Sequence, residues 1–472
     1  MLSKTVFIMR KNFTIILTLL FPLLILNANE TAKPLYYRLK VKIEPASGEI
    51  FVNGKVGIQL ENIKQRNFSF DLHETFIIEK LLVDGKVVKY LTEENEPLPV
   101  KPASKKVIVE LPEKNIQKRI EMEIVYHGKL KNIPEFNTYE NQELALDDQI
   151  NSRMVELACY SCWYPLFTFG VRFNIDLELS LPSNWKYICS GKEIESRKVN
   201  NRIITRWNSG KDIDIVIIAS PKFRYKTAKT SVATINVYFT RLPEEFVNRE
   251  IQEIEETVKL FTEFLGEPVI PNGIIKHIYS PKRKGQGGAG IARPGMIVTS
   301  EGLTLESMKK NPNFSLFHGL SHEIAHFWWN FGAGQGDWIN EAFAEYFSLV
   351  AVQKIDSQEE FENYLKKYKN YVNKLPEDAP SLSKVPFMND EVTYIVRYFK
   401  GSLMLNYFRN LIGDANFFKI CRDFYSKYHK TIIGTSEFRR FWGERLGEYR
   451  KALDIWLDSK GGLPELGNNE RS

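Results

Sequence analysis

The chain has little of what would place it in several large classes of protein. Its 472 residues include four cysteines, Cys159, Cys162, Cys189 and Cys421. No second close pair joins Cys159 and Cys162 to complete a four-cysteine zinc site, and nothing around them resembles a thioredoxin pattern. In an exported chain Cys159 and Cys162 could oxidise, although a bridge across so short a loop is often strained, and structural cysteines are the expectation. No basic run is found beyond Lys282, Arg283 and Lys284, and 64 basic against 58 acidic residues leave a net charge of only +6. Spread over a large surface, that excess argues against a nucleic-acid partner. Repeats and low-complexity tracts are absent. An apolar run from Phe13 to Leu26 follows Lys4, Arg10 and Lys11, but it is shorter than the roughly 20 residues that span a bilayer. Residues 1–28 therefore read as a signal peptide ending near Ala28, with an uncleaved anchor as the alternative. Membrane contact is expected only in the second case. In both, the body of the protein is exported.

What the chain does have is enough apolar material, 43% of residues, for the cores of two or three domains. From 33 to 224 it reads as short strands such as YYRLKVKIEP, KVIVELP and RFNIDLELSLP, alternating with period two between Gly, Pro and Asn. An antiparallel sheet domain is predicted there. The period then changes: Phe246, Val247, Ile251, Ile254, Val258, Phe261 and Leu265 recur at three- and four-residue steps, with Gly266 as the expected C-cap. That helix opens a second, mostly helical domain, 225–466. The fold class is multidomain α+β.

The chemistry sits in LFHGLSHEIAHFWW, 316–329, which has helical spacing and no proline. His322 and His326, four residues apart, project from one side of a helix and can share an ion, and Glu323 lies beside them as a general base. Packed as plain core residues, two histidines and a glutamate would be costly without partners. A third ligand is expected from WINEAFAEYF, where Glu341 and Glu345 share a stripe apart from the apolar residues. Only one can bind directly, because a helical turn separates them by about 5.4 Å. The other is placed to accept a hydrogen bond from a ligating histidine. His318, two turns from His326, is read as a core or supporting residue.

These segments resemble the aminopeptidase N family of zinc metallopeptidases, gluzincins related to thermolysin. The resemblance implies a saddle-like N-terminal sheet domain and a thermolysin-like catalytic domain with a small sheet, here without the large C-terminal helical domain of many relatives. It implies one zinc ion and peptide substrates. Strict family spacing selects Glu345 as ligand, whereas the local WINEAFA match selects Glu341. The glycines of FWWNFGAGQGD make a shortened loop plausible, so Glu341 is assigned as ligand and Glu345 as the support of the first histidine, with Asn340 expected to orient His326. The family's Y-x-K-G pattern falls on Tyr398, Lys400 and Gly401 and implies that Tyr398 donates to the oxyanion, with Tyr394 as competitor. The family's G-x-M-E-N strand edge corresponds to GGAGIARPGMIVTS, 287–300, implying substrate contacts from Gly288, Ala289, Gly290, Ala292 and Arg293. Here Ala292 stands where the family has the Glu that binds a free amino terminus. Glu156 is the candidate replacement. Endopeptidase action, or action on blocked peptides, is the first alternative. A non-catalytic, zinc-stabilised peptide-binding or adaptor protein is the second.

Overall fold

The computed structural model describes residues 32–62, 64–95, 104–111, 117–130, 148–168, 170–281, 290–311, 314–332, 334–386 and 390–465. The expected signal segment, and Gly288 and Ala289, lie outside them. No helix among the described residues is long and apolar enough to cross a membrane.

The alternation read from the sequence becomes an eight-stranded sheet. Its central strand, Ala32–Glu44, buries Tyr37, Leu39, Val41 and Ile43 on one face and turns Arg38, Lys40 and Lys42 outward between them. It pairs antiparallel with Glu49–Leu60 and parallel with Phe173–Pro182. A three-stranded sheet and a four-stranded sheet complete this half. In the four-stranded sheet, Val155–Leu157 sends Val155 and Leu157 into the N-terminal core, so period-two geometry aims Glu156 the opposite way.

A separate five-stranded sheet begins at Arg224. Its order is Arg224–Lys229, Thr234–Phe239, Ile274–Ser280, Met296–Ser300 and Gly290–Arg293, parallel in the middle and antiparallel at both edges. The helix Glu244–Leu265 packs on it through the seven apolar positions named above, all buried, and Gly266 ends it with φ 85°. Its N–H bonds Thr262 O at 2.8 Å.

The two halves meet across a small apolar cluster, Ala158, Ile188, Val216 and Ile218 against Ile278, Met296 and Val298. Polar ties surround it. Lys276 Nζ donates to Cys189 O at 2.6 Å and to Gly191 O, and the Ser280 hydroxyl donates to Glu156. Arg293 Nε donates to Asp214 Oδ2 at 2.8 Å. All four cysteines are buried and unbridged.

Glu253, on the inner part of the long helix, has a side chain only 17% exposed. Burial pushes its carboxyl up to about 7; Arg249 opposes that and Glu250 adds to it. An unfolded Glu releases its proton near pH 4.3, so between there and about 7 the folded state holds more protons and stability falls as pH rises. Glu253→Gln is expected to raise unfolding free energy at pH 8 by on the order of 2 kcal/mol, a gain that disappears at pH 4. Urea unfolding at the two pH values checks this. An equal gain at both would show that charge burial is not its origin.

Candidate metal centre and active site

The HExxH helix runs Phe317–Ala325, shorter than the 316–329 expected from spacing. After it the chain tightens: Phe327 N bonds Ile324 O at 2.9 Å, and Trp328 N and Trp329 N both reach Ala325 O at 3.0 Å. The bulky Phe-Trp-Trp run turns into the core there, where Trp328 and Trp329 are at most 1% exposed. His326 caps the helix with φ −65° and ψ −9°, close enough to helical geometry to stay beside His322. Their rings lie 5.0 Å apart, edge to face.

The outer nitrogen of each ring is held. His322 Nδ1 donates to Glu345 Oε2 at 2.8 Å, and His326 Nδ1 to Trp329 O at 2.9 Å. This fixes both tautomers and leaves the Nε2 lone pairs facing one point. The third group at that point comes from the helix Asp337–Ala351, where Glu341 Oε2 stands 3.5 Å from His322 Nε2 and 3.6 Å from His326 Nε2. Ligand atoms of His322, His326 and Glu341 all lie within 4.8 Å of one another. Glu341 Oε2 is buried and no donor among the described residues satisfies it, which is costly for a carboxylate oxygen unless a cation sits against it. Two neutral imidazoles and one carboxylate are the donor set that a catalytic zinc uses with one position left open. The residues fit the ion.

Burial opposes ionisation of Glu341, but its carboxyl is held well below the usual range, with the Arg397 guanidinium beside it favouring the charged form. Glu345 lies behind His322. Burial works against its charge too, yet His318 and His322 hold it low. The Tyr368 hydroxyl donates to Glu345, and His318 Nε2 lies 3.3 Å from it while bonding Ser348 Oγ at 3.1 Å. His318 thus supports the site from outside, as the sequence suggested.

Glu323 stands beside the cluster, under the sheet's edge strand Gly290–Arg293. The approach is so close that a Cβ on Gly290 would lie 2.4 Å from Glu323 Oε1. Tyr398 stacks on His322 with ring centroids 5.6 Å apart and planes 7° from parallel, and Tyr394 stacks on Tyr398 at 4.2 Å. Burial, with the Glu341 carboxylate beside it, pushes the Tyr398 phenol well above its ordinary value, so it remains a donor. Tyr394 is the outer, more exposed member of the stack. Lys400 takes no part in the stack: its Nζ donates to Ser459 O at 2.7 Å and Gly461 O at 2.9 Å, tying the end of the described chain to this helix.

Two expectations need correction. Asn340 does not orient His326, whose ring is held by Trp329 O instead. Asn340 Oδ1 accepts from Phe331 N at 3.0 Å and Gly332 N at 2.8 Å, and its Nδ2 donates to Gly332 O at 3.0 Å. Asn340 therefore pins the shortened glycine loop, which folds so tightly that a Cβ on Gly332 would meet Gly336 O at 2.2 Å. Arg293, expected to face substrate, is instead bound to Asp214, with its guanidinium 5.3 Å from the Tyr160 ring centroid. Strand alternation explains this: Gly290 and Ala292 share the face toward Glu323, whereas Ile291 and Arg293 face the N-terminal half. Sequence reasoning missed Arg397. It is 2% exposed, its Nη2 donates to Asp337 Oδ2, and it lies 3.6 Å from Glu341 Oε1. An arginine inside the apolar run YIVRYF was the available signal.

A helical two-histidine motif, a carboxylate from the next helix and a glutamate under a sheet edge are the parts of a metallopeptidase site. Comparisons with known proteins agree with that type of site. Residues 291–456, about a third of the chain, match the "Peptidase family M1 domain". Human Aminopeptidase O is 24% identical over 191 residues, 32% of this chain and 23% of that protein, so the shared stretch is less than a quarter of the relative. The crystal structure of an M1 zinc metallopeptidase from Deinococcus radiodurans superposes with a TM-score of 0.71 at 14% identity, covering 93% of this chain and 97% of that one. Native leukotriene A4 hydrolase from Saccharomyces cerevisiae gives 0.69 at 17% identity, over 94% and 70%. Both halves of the chain therefore have the M1 fold, N-terminal sheets followed by a helical catalytic domain.

Because Gly290 leaves no room for a side chain over Glu323, Gly290→Ala is expected to displace the base. Zinc content should stay at wild-type level while kcat for a peptide falls about 100-fold, the cost of roughly an ångström of misplacement. Metal analysis alongside steady-state kinetics checks this. Unchanged kcat would mean that the strand yields and the contact is not restrictive.

Proposed function

We propose that this chain is an exported zinc-dependent peptidase acting by activated water, and that it is an aminopeptidase. The observation that carries the reading is the His322, His326 and Glu341 cluster with its unsatisfied carboxylate oxygen and with Glu323 beside it. A zinc ion bound there supplies Lewis-acid chemistry, polarising a carbonyl and making water more acidic. The protein's own groups do the rest. Glu323 accepts the proton from attacking water and passes it to the leaving amine, and Tyr398 donates its phenolic hydrogen to the developing oxyanion. The edge strand presents backbone groups to an extended peptide, with glycine at 290 allowing close approach. A variant of the Deinococcus radiodurans metallopeptidase was crystallised with a Tyr-ser-ala substrate, which supports a peptide as the ligand class. Export rests on the charged and apolar pattern of residues 1–28.

The amino-terminal preference is the finer part of the proposal. A dry site needs a carboxylate to pair with an ammonium, and Ala292, buried on the Glu323 face of the edge strand, offers none. Glu156 is the acid that we assign to this pairing. It points across from the N-terminal half at the end of the strand Ile274–Ser280, where Ser280 bonds it. The alternative that Ala292 favours is cleavage of internal or blocked peptide bonds.

The test compares a free peptide with its acetylated form on wild type, Glu156→Ala and Glu323→Gln. Stepwise cleavage of the free form only, with kcat/KM lowered at least 100-fold in Glu156→Ala, is the expected outcome. Equal cleavage of the acetylated peptide would replace the aminopeptidase reading with the endopeptidase one. If wild type and Glu323→Gln both bind zinc and neither turns over peptide, the adaptor reading gains.

A further inference from the structure

Arg397 is the buried charge that the mechanism above leaves unused. It sits in a π-helical turn, Ile395–Lys400, between the short helix Glu391–Tyr394 and the helix Gly401–Ile412. Such turns are rare and occur often at functional sites. This one brings two consecutive side chains, Arg397 and Tyr398, to the same metal cluster. The guanidinium carbon lies 5.6 Å from the Tyr398 ring centroid. Nη2 reaches Asp337 Oδ2 and lies 3.6 Å from Glu341 Oε1, while the other oxygen of Glu341 is the one that faces His322 and His326. The two oxygens of one carboxylate are thus divided, one toward a cation of the protein and one toward the place of the metal. Asp337 is in turn 3.4 Å from Asn340 Nδ2, which connects the guanidinium to the glycine loop.

We infer that Arg397 is a positioning residue for the metal centre: its charge beside Oε1 of Glu341 fixes the carboxylate so that Oε2 is the oxygen offered toward the place a metal would take. The inference rests on the zinc reading of the site and deepens it. Asp337 alone would neutralise a buried arginine, so a purely structural pair would need no second carboxylate at this distance. Without the guanidinium, Glu341 gains freedom to rotate, and two carboxylates would face one another in a buried place. Loss of an outer partner of this kind typically costs 10–100-fold in metal affinity.

The test measures zinc affinity by chelator competition, and thermal midpoints of the metal-free proteins, for wild type, Arg397→Gln and Asp337→Asn. Arg397→Gln is expected to bind zinc about 10–100-fold more weakly. Asp337→Asn, which leaves the guanidinium on Glu341, is expected to stay within about threefold of wild type although its midpoint falls too. In cobalt-substituted protein, Arg397→Gln should also change the visible absorption as the carboxylate rotates, and Asp337→Asn should not. Equal zinc affinity in the two variants would overturn the inference and leave the pair as a loop lock. If Arg397→Gln does not fold, Arg397→Lys takes its place: a loss of about three- to tenfold supports the assignment, and wild-type affinity overturns it. A wild type that takes up no zinc would remove the site reading itself, whereas tight binding in wild type and Arg397→Gln alike would remove only this inference.

Discussion

Everything in the catalytic half depends on keeping two imidazoles aimed at one point. A ring free to rotate about its last bond has no reason to leave its lone pair facing its neighbour, so each needs an acceptor on its far nitrogen. Two different acceptors are used. Glu345, anchored by Tyr368 and His318, holds one ring with a charged side chain, and the Trp329 carbonyl holds the other with backbone. The helix Asp337–Ala351 thus contributes twice, a carboxylate to the cluster and one behind it, four residues apart. The double tryptophan contributes through its position, since burying Trp329 places its carbonyl under His326.

That arrangement explains why so much of the site was legible in a single sequence. Residues of HEIAH and NEAFAE act within one or two helical turns, and local spacing fixes which side chains meet. The apolar rhythm of the Glu244–Leu265 helix and the alternation of the N-terminal strands were legible for the same reason. The choice of Glu341 over Glu345 needed the loop to be read as shortened, and the tight packing of Gly332 against Gly336 is the physical form of that shortening.

What could not be read depended on distant partners. Arg293 is held by Asp214, 79 positions earlier, and no local pattern announces that meeting. Its direction, however, follows from parity: once Gly290 is placed over the base, Ala292 faces the site and Arg293 cannot. Asn340 was misassigned because its neighbours in sequence are site residues while its bonds go to loop backbone. Arg397 went unnoticed beside the more familiar Tyr398. An ionised group in an otherwise apolar helical run has to be paired, and its partner was the ligand helix.

The Lys400 bonds have a mechanical meaning. Two residues beyond the stacked tyrosine, an ammonium grips the carbonyls of Ser459 and Gly461. The hydroxyl that faces the reacting centre and the far end of the described chain are therefore joined by one side chain, like a latch and the handle that turns it. Force applied at 459–461, whether from a tether, a neighbouring protein or a surface, enters the fold at the π-helical turn that carries Tyr398.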